Sequence, residues 1–591
     1  MEPALELSVG ILCSQGKGLA SELAERYIED YGANFICTEA PGIGFEYSLK
    51  DLTMPCSVWR NEIVIALASD SISSEEALQS EVEWIQHLGV GVVKFPPVPN
   101  GLSNLYSYAR MLKRLASEHP CIRVWVPMSI SQWSLWNRIN GAAGDLDNVF
   151  VDLVLGENCP ESGEEIARVL GEPIGCVQVD TNLFIQKAGS PGLSLTESHF
   201  RLLSQLCRVT KNILLSGVSS EHHKESIQQI ISAIRGCALV DFRESKLSWD
   251  VYQSLQAYNE FLQSPLQPLH DNLEAQTYET FEMDTVKYSA YKAAIAKAII
   301  DLDARGHIQD RCVIFVAGSG RGPIVSAALE AAEMVELHDK VHVYAVEKNK
   351  NAIHILEALS REQWGNRVTV VHSDMRDLVV ETKADVIVSE LLGSFGDNEL
   401  SPECLDGVQH YLQPWGISIP REYTSYIAPI SSPQLWRKVR ACGKKAFDIP
   451  YVVRLNNFFQ LCDAQKVFTF SHPRDLKAQD NSRYGSFSFE SCLDATVHGF
   501  AGFFDCILYG DVTLSTEPRC HTPNMFSWFP IFFPLSSPLH VSNPRTDALS
   551  LEMWRIVNVK SKKVWYEWVV STAHAQSPIH NSGGCGAAIG L

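Results

Sequence analysis

Two glutamates, Glu390 and Glu399, stand nine positions apart in the stretch Ser-Glu390-Leu-Leu-Gly-Ser-Phe-Gly-Asp-Asn-Glu399. A hairpin in this loop brings both carboxylates to one pocket. Close carboxylates repel, and one takes up a proton unless a cation sits between them. A guanidinium is the natural cation, because its planar fork of donors matches two carboxylates. It holds its proton to about pH 12 and above, and is a poor nucleophile. Two acids on one end of the fork bias charge away from the nitrogen that faces an electrophile. Alignment for in-line attack then supplies much of the rate without a strong base. The plainer alternative is a glutamate pair that ligates nothing or holds a structural arginine.

The electrophile is suggested by residues nearer the middle of the chain. An apolar run, Cys312–Ala317, leads into Gly318-Ser-Gly320-Arg-Gly322 and then into a helical stretch. Glycines there allow a tight turn and a close approach of backbone N–H groups to a ligand at a helix N-terminus. The spacing is not the GxGxxG of a dinucleotide site, and no Gly-Lys-Ser/Thr ending marks a phosphate loop. The next strand ends in Glu347, placed to accept from both hydroxyls of a ribose. The third ends in Ser373-Asp374-Met375, where an acid could meet an adenine amino group or merely cap the next helix. Three such features at successive strand ends point to a nucleoside cofactor lacking a pyrophosphate, S-adenosylmethionine ahead of NAD.

These residues need a sheet to carry them. Near-continuous apolar runs at Cys312–Ala317, His342–Glu347, Val368–Asp374, Asp385–Glu390 and Ile417–Ile419 read as strands covered on both faces. A helix over roughly Thr285–Asp303 precedes them. Upstream, nine strand candidates alternate with amphipathic runs such as Leu19–Tyr31 and Glu75–Leu88, the rhythm of a (β/α) barrel. They are Val9–Cys13, Phe35–Thr38, Ile63–Ala68, Gly91–Phe95, Ile122–Pro127, Val149–Leu155, Val177–Thr181, Ile213–Ser216 and Ala238–Phe242. The segment Gln263–Leu269, with two prolines, reads as a linker. After Pro420, short alternating aromatic strands such as Phe468–Ser471, Phe487–Glu490, Val497–Leu508 and Val564–Ser571 indicate an all-β module. The expected order is a TIM-like barrel over 1–250, a linker and Rossmann-like, S-adenosylmethionine-binding domain over 251–420, and a β-barrel over 421–591.

Composition narrows the class. The 591 residues are 46% hydrophobic and 20% charged, too apolar for disorder. No apolar stretch approaches the ~18 residues of a membrane helix, and the N-terminus does not read as a secretory signal. Sixteen cysteines without a CxxC pair fit reduced thiols in cytoplasm or nucleus. The net charge of −20 weakens a nucleic-acid reading and suits a basic partner. No metal site is expected, because His222-His223 lacks ligand spacing. In the barrel, Glu39, Asp70 and Asp180 fall at strand ends without forming a convincing pair. A docking barrel with no activity of its own is therefore expected.

The segment from Glu390 to Glu399 resembles the double-glutamate loop of protein arginine methyltransferases, in the form of the protein arginine N-methyltransferase 5 family. LQSPLQPLHDNLEAQTYETFEMDTVKY, GSGRGP, YAVEKN, SDMR, HGFAGFF, NMFSWFPIFFPL and KKVWYEW agree with it. The resemblance is strong from about 260 to 570 and diffuse in the N-terminal third. It implies that Tyr278, Lys287 and Tyr288 contact S-adenosylmethionine, with Glu347 on the ribose and Asp374 and Met375 at the adenine. Gly318 and Gly320 would line the methionine part. Glu390 and Glu399 would clamp the substrate guanidinium, Phe281 and Trp528 would sandwich it, and Gln263 and Leu266 would touch the substrate backbone.

Asymmetric enzymes of the superfamily carry Thr-His-Trp where this chain has Phe526-Ser527-Trp528, and Met in place of Phe281. The resemblance thus implies a type II enzyme making monomethyl and symmetric dimethyl arginine. Its targets would be Arg/Gly-rich proteins such as histone tails and spliceosomal Sm proteins, in cytoplasm and nucleus. It also implies a homodimer or higher oligomer, through an insertion near Val439–Pro450, and a WD-repeat propeller partner on the barrel. Neither nucleic acid nor membrane is an expected direct partner. The C-terminal end departs from the family before Ile589-Gly590-Leu591, which bears on the last strand. Competing readings are a scaffold of the same fold that needs a partner for turnover, and an NAD-linked oxidoreductase disfavoured by the glycine spacing.

Overall fold

The computed structural model describes residues 7–13, 23, 25–39, 53–72, 74–98, 104–160, 163–186, 192–219, 222–475, 480–490, 493–541 and 548–591. Part of the Leu19–Tyr31 run and the Asp70 side chain lie outside them. The chain forms two compact units. The first is Met1–Ala257 with Ser431–Arg437 and Asn456–Phe459; the second is Tyr258–Ile430, Lys438–Leu455 and Gln460–Leu591.

In the first unit eight parallel strands close into a barrel, pairing in chain order from Ser8–Cys13 to Asn212–Ser216, which returns to the first. Strand alternation separates two cores. Phe35, Cys37, Val64, Trp125, Cys176 and Leu214 form one cluster, while Ile36, Ile63 and Ile65 join a second, larger cluster with residues of the covering helices. A buried Lys94 ammonium meets Asp152 Oδ2 and Gln178 Oε1, each at 2.5 Å. Arg437 is folded into this unit, donating to Asp145 from Nε and Nη2 at 3.0 and 2.6 Å.

Eight of the nine expected barrel strands are present. The ninth, Ala238–Phe242, is helical: it spans the end of the helix Lys224–Ala238 and the start of Val240–Ser245. A short apolar run does not by itself distinguish a strand from a buried helical face. Here the preceding Ile227, Ile230, Ile231 and Ile234 carry the helical period up to it.

The second unit has a parallel five-stranded sheet in the order Val368–His372, Val341–Glu347, Cys312–Ala317, Ala384–Ser389, Leu412–Ile419. Cys312–Ala317 is central and buried throughout, as a strand covered on both faces must be. The helix Thr285–Ala304 precedes it and buries Tyr291, Ile295, Ala298, Ile299 and Leu302, a stripe at three- and four-residue spacing. The β module contains a seven-stranded and a four-stranded sheet. In the first, Ala495–Tyr509 runs antiparallel between Glu422–Ser431 and Ile531–Val541. In the second, the divergent C-terminal end still supplies an edge: Ile589 and Gly590 pair with Val564 and Lys563.

Candidate active site

Every residue expected at the site lies in the second unit, and Gly318, Glu347, Asp374 and Glu390 follow or end its parallel strands at their carboxyl ends, as in open α/β sheets. Strand Cys312–Ala317 turns through Gly318 and Gly320, both at positive φ, +77° and +53°. A Cβ on Gly318 would come 3.0 Å from Leu391 Cδ2 and 3.4 Å from Met375 Cε. One on Gly320 would come 3.0 Å from Tyr278 Cε1. The turn therefore needs glycine for conformation and for close approach alike. Glu347, almost fully buried, braces it by accepting from Gly320 N and Asn349 N, both at 2.7 Å. Asn349 Nδ2 donates to the Tyr278 hydroxyl at 3.2 Å, and Arg321 ties the turn to Glu282 at 2.8 Å.

Asp374 takes the capping role that the sequence left open beside an adenine contact. Its Oδ1 accepts from Arg376 N and Nε at 2.9 and 3.0 Å, and Oδ2 from Arg376 Nη2 at 2.9 Å. These bonds hold its carboxyl below the usual range against the opposing pull of burial. It is thus the cap of the short turn Met375–Asp377 and the partner of a guanidinium.

The double-glutamate loop is a tight hairpin. Gly396 N donates to Gly393 O at 2.8 Å and Gly393 N to Gly396 O at 3.2 Å. Asn398 Oδ1 accepts from Phe395 N at 2.6 Å. Leu400, fully buried at φ +66°, reverses the chain directly after Glu399 and caps the helix Ser401–Val408. A bulky residue in that region carries strain that the surrounding packing must over-determine. Burial, and then the Glu390 charge, push the Glu399 carboxyl well above the ordinary range.

Beside Glu390 stands a box of rings. Phe281 comes from the helix Ala275–Glu282, Tyr288 from Thr285–Ala304, and Trp528 from the turn before Ile531–Val541. Trp528 Nε1 donates to Leu392 O at 2.7 Å, and its ring meets Phe504 edge-on at 5.2 Å. The Lys287 ammonium, expected by resemblance on the cofactor, lies in this box. It is 4.8 Å from the Tyr288 centroid, 5.1 Å from those of Phe281 and Trp528, and 3.2 Å from Glu390 Oε2. Gln263 pairs its backbone with Val452 of the short strand Tyr451–Val452, its buried Nε2 has no partner among the described residues, and Leu266 is exposed.

Two sets of residues were not singled out from the sequence. Buried Asp284 caps the helix carrying Lys287 and Tyr288, and its Oδ2 accepts from Phe526 N, Ser527 N and Ser527 Oγ, each at 2.8 Å. An aspartate directly before a helix start was the available signal. Arg555, with no exposed surface, donates to Asp397 Oδ2 at 2.5 Å and to both oxygens of Glu403 at 2.8 and 2.9 Å. Tyr566 joins at Asp397 Oδ2, 2.6 Å, and Ser425 at Oδ1, 3.0 Å. The network thereby grips the loop on both sides of Glu399.

A Rossmann-like sheet with a braced glycine turn, a double-glutamate hairpin and a cation box defines an arginine methyltransferase site, and the comparisons agree. The PRMT5 arginine-N-methyltransferase family matches residues 250–419, the PRMT5 oligomerisation domain 422–589 and the PRMT5 TIM barrel domain 44–238. "Protein arginine N-methyltransferase 5" of Xenopus laevis is 40% identical, over 92% of this chain and 90% of that protein. The protein of that name from Oryza sativa subsp. indica is 39% identical, over 93% and 91%. A solved structure, "Trypanosoma brucei PRMT1 enzyme-prozyme heterotetrameric complex with AdoHcy", covers 50% of this chain and 95% of its own, at 17% identity and a TM-score of 0.42.

This chain belongs to the protein arginine N-methyltransferase 5 family. It is an S-adenosylmethionine-dependent protein arginine methyltransferase whose C-terminal module is the family's oligomerisation domain. The residues present fit that donor. A Cβ at Gly318 or Gly320 would crowd the Leu391 or Tyr278 side chain at 3.0 Å, and each Glu347 oxygen accepts one bond and keeps acceptor capacity for a hydroxyl.

Proposed function

We propose that this chain makes monomethyl and symmetric dimethyl arginine on Arg/Gly-rich proteins such as histone tails and Sm proteins. The observation that carries this reading is the box of Phe281, Tyr288 and Trp528 against Glu390, which encloses a cation. Bound S-adenosylmethionine supplies an electrophilic methyl group, with Tyr278, Gly318, Gly320, Glu347, Asp374 and Met375 as the residues that would hold it.

The chain's own residues then do four things. Glu390 and Glu399 bind one end of the guanidinium fork and concentrate positive charge there, so the far nitrogen becomes the better nucleophile. Phe281 and Trp528 present π faces to the guanidinium plane and fix its orientation. Asp284 holds Ser527, and with it the turn that carries Trp528. Gln263, whose Nε2 has no partner among the described residues, and exposed Leu266 offer a polar and an apolar contact to the peptide backbone.

The symmetric reading rests on the Phe281 ring and on Ser527 in the place of the asymmetric enzymes' histidine. Action in cytoplasm and nucleus, a homodimer or higher oligomer, and a WD-repeat propeller partner belong to the same reading, through the family resemblance. The test is mass spectrometry of an Arg/Gly-rich peptide incubated with the protein and S-adenosylmethionine, beside Glu390→Gln. Fragment ions losing monomethylamine, absent from the variant, support the proposal. Loss of dimethylamine would replace the symmetric assignment by the asymmetric one.

A further inference from the structure

The four-stranded sheet of the β module has two unlike faces. Along Leu549–Asn558, buried Leu551, Met553 and Arg555 alternate with half-buried Glu552 and Trp554. Along Lys563–Ser571, buried Tyr566 and Trp568 flank half-buried Glu567. Arg555 and Tyr566 turn inward, to Asp397 of the glutamate hairpin. Glu552, Trp554 and Glu567 therefore stand on the opposite face. Tyr484, 57% exposed on the strand Arg483–Phe489, joins them there because it pairs with Trp554.

The four side chains form a compact pattern. Tyr484 lies opposite Trp554 and Trp554 opposite Glu567, one row across three strands. The two rings meet at 5.4 Å between centroids with a tilt of 31°. Glu552 is two residues from Trp554, about 7 Å along the strand, and its Oε2 accepts from the Tyr484 hydroxyl at 3.2 Å. Trp565 Nε1 and Gly583 N hold Glu567 at 2.8 and 2.7 Å, and both bonds fall on Oε1. Among the described residues, Glu552 Oε1 and Glu567 Oε2 accept nothing and neither carboxylate has a counter-ion. Two rings are thus flanked by two carboxylates, each with an oxygen to spare.

We infer that this outer face is a second guanidinium site, which holds one arginine of an Arg/Gly-rich substrate tail while another arginine occupies the pocket of Glu390. The inference rests on the proposed substrate class. Trp554 and Tyr484 supply π faces for a stacked guanidinium, and the carboxylates on either side of Trp554 take its fork of donors. Charge is complementary as well, since the chain carries −20 and such tails are positive along their length. A single exposed contact of this kind is weak, and the gain comes from tethering. Once one arginine is bound, the next is presented at high effective concentration. The consequence is a preference for tails with many arginines, with the chemistry at Glu390 unchanged.

The test is equilibrium binding, by fluorescence anisotropy, of glycine-rich tails of about 30 residues, which extend to about 100 Å and so reach across a compact domain. One tail carries a single arginine and a second carries arginines throughout. A third is the second with every arginine but one replaced by lysine. The proteins are the full chain as wild type, Trp554→Thr and Glu567→Gln. Both variants are expected to bind the many-arginine tail at least fivefold more weakly, and the single-arginine tail within twofold of wild type. In methylation, KM for the many-arginine tail should rise while kcat stays within twofold. Wild type should bind the many-arginine tail at least threefold tighter than the lysine tail.

Unchanged binding of the many-arginine tail by either variant overturns the inference. So does an equal loss for the single-arginine tail, which would place the effect in the pocket or the fold. Equal binding of the lysine tail would leave net charge as the cause and overturn it too. Sedimentation velocity supplies a further check: a changed oligomer size in either variant assigns the face to contact between copies, against the inference. The proposed function fails separately. A wild type that binds the many-arginine tail through this face but methylates no tail keeps the site and loses that reading.

Discussion

Asp284 and Ser527 are joined twice: Asp284 Oδ2 accepts from the Ser527 backbone N–H and from its hydroxyl, both at 2.8 Å. The same oxygen takes Phe526 N, and Oδ1 caps the helix of Lys287 and Tyr288. One buried carboxylate therefore sets the spacing between two walls of the cation box. Asp284→Ala strands three donors and removes a helix cap, and is expected to cost on the order of 3 kcal/mol. Asp284→Asn keeps an acceptor and should cost about 1 kcal/mol. Ser527→Ala loses a single hydroxyl bond and should stay below about 1.5 kcal/mol. Denaturant unfolding ranks the three. Peptide methylation should fall in the same order, with Asp284→Ala at least tenfold down in kcat.

The sequence made the sheet and both glutamates legible because their signals are local. Buried parallel strands read as unbroken apolar runs, and Gly318 and Gly320 follow one of them directly. Asp284 was harder, since its partners Phe526 and Ser527 lie 242 and 243 positions away. Arg555 likewise reaches Asp397 and Glu403 across 158 and 152 positions. Spacing carries no trace of such pairs. Two local competitions also escaped a linear reading. Arg376, two residues on, claims the Asp374 carboxylate, and the apolar run at Ala238–Phe242 continues a helix instead of starting a strand. The position of Lys287 in the box depends on how its helical turn, which also carries Tyr288, faces Phe281 and Trp528 from two other segments.

Glu399 makes substrate binding proton-linked. Burial and Glu390 hold its carboxyl above the ordinary range, so below that raised pKa it is neutral and a poor partner for a guanidinium. Arginine-peptide binding should therefore tighten as pH rises through it. Below it, binding should release up to one proton, measurable by calorimetry in buffers of different ionisation enthalpy. Glu399→Gln should abolish the release together with activity. The stability sign is opposite. A carboxyl whose folded pKa exceeds its unfolded value costs stability as pH rises from the ordinary carboxylate range toward the raised value. At neutral pH, Glu399→Gln is accordingly expected to melt at or above the wild-type temperature.

Arg555 is predicted to be necessary for activity without touching substrate. It satisfies Asp397 and Glu403, which flank Glu399 in the chain, from a position with no solvent exposure. Arg555→Met leaves the buried Asp397 and the partly buried Glu403 short of their counter-charge, a change worth about 3–5 kcal/mol. Arg555→Lys keeps the charge but not the fork, so it should destabilise less while still loosening the hairpin. Unfolding curves measure the first effect. The second should appear as a fall in kcat/KM for the peptide, with S-adenosylhomocysteine affinity within about threefold of wild type, because the glycine turn and Glu347 are untouched.

Gly320 and Gly306 both sit at positive φ, +53° and +73°, but in different surroundings. Around Gly306, just past the helix Thr285–Ala304, nothing among the described residues would meet a Cβ within 4 Å. At Gly320 the Tyr278 ring would stand at 3.0 Å. Gly306→Ala should therefore show only the backbone penalty of an alanine in the left-handed region, about 1 kcal/mol. It should leave S-adenosylhomocysteine binding unchanged. Gly320→Ala should add a steric push on Tyr278 and disturb the bond from its N–H to Glu347, weakening the same ligand at least tenfold by calorimetry. Equal ligand affinities for the two variants would mean that the glycine turn does not cradle the donor.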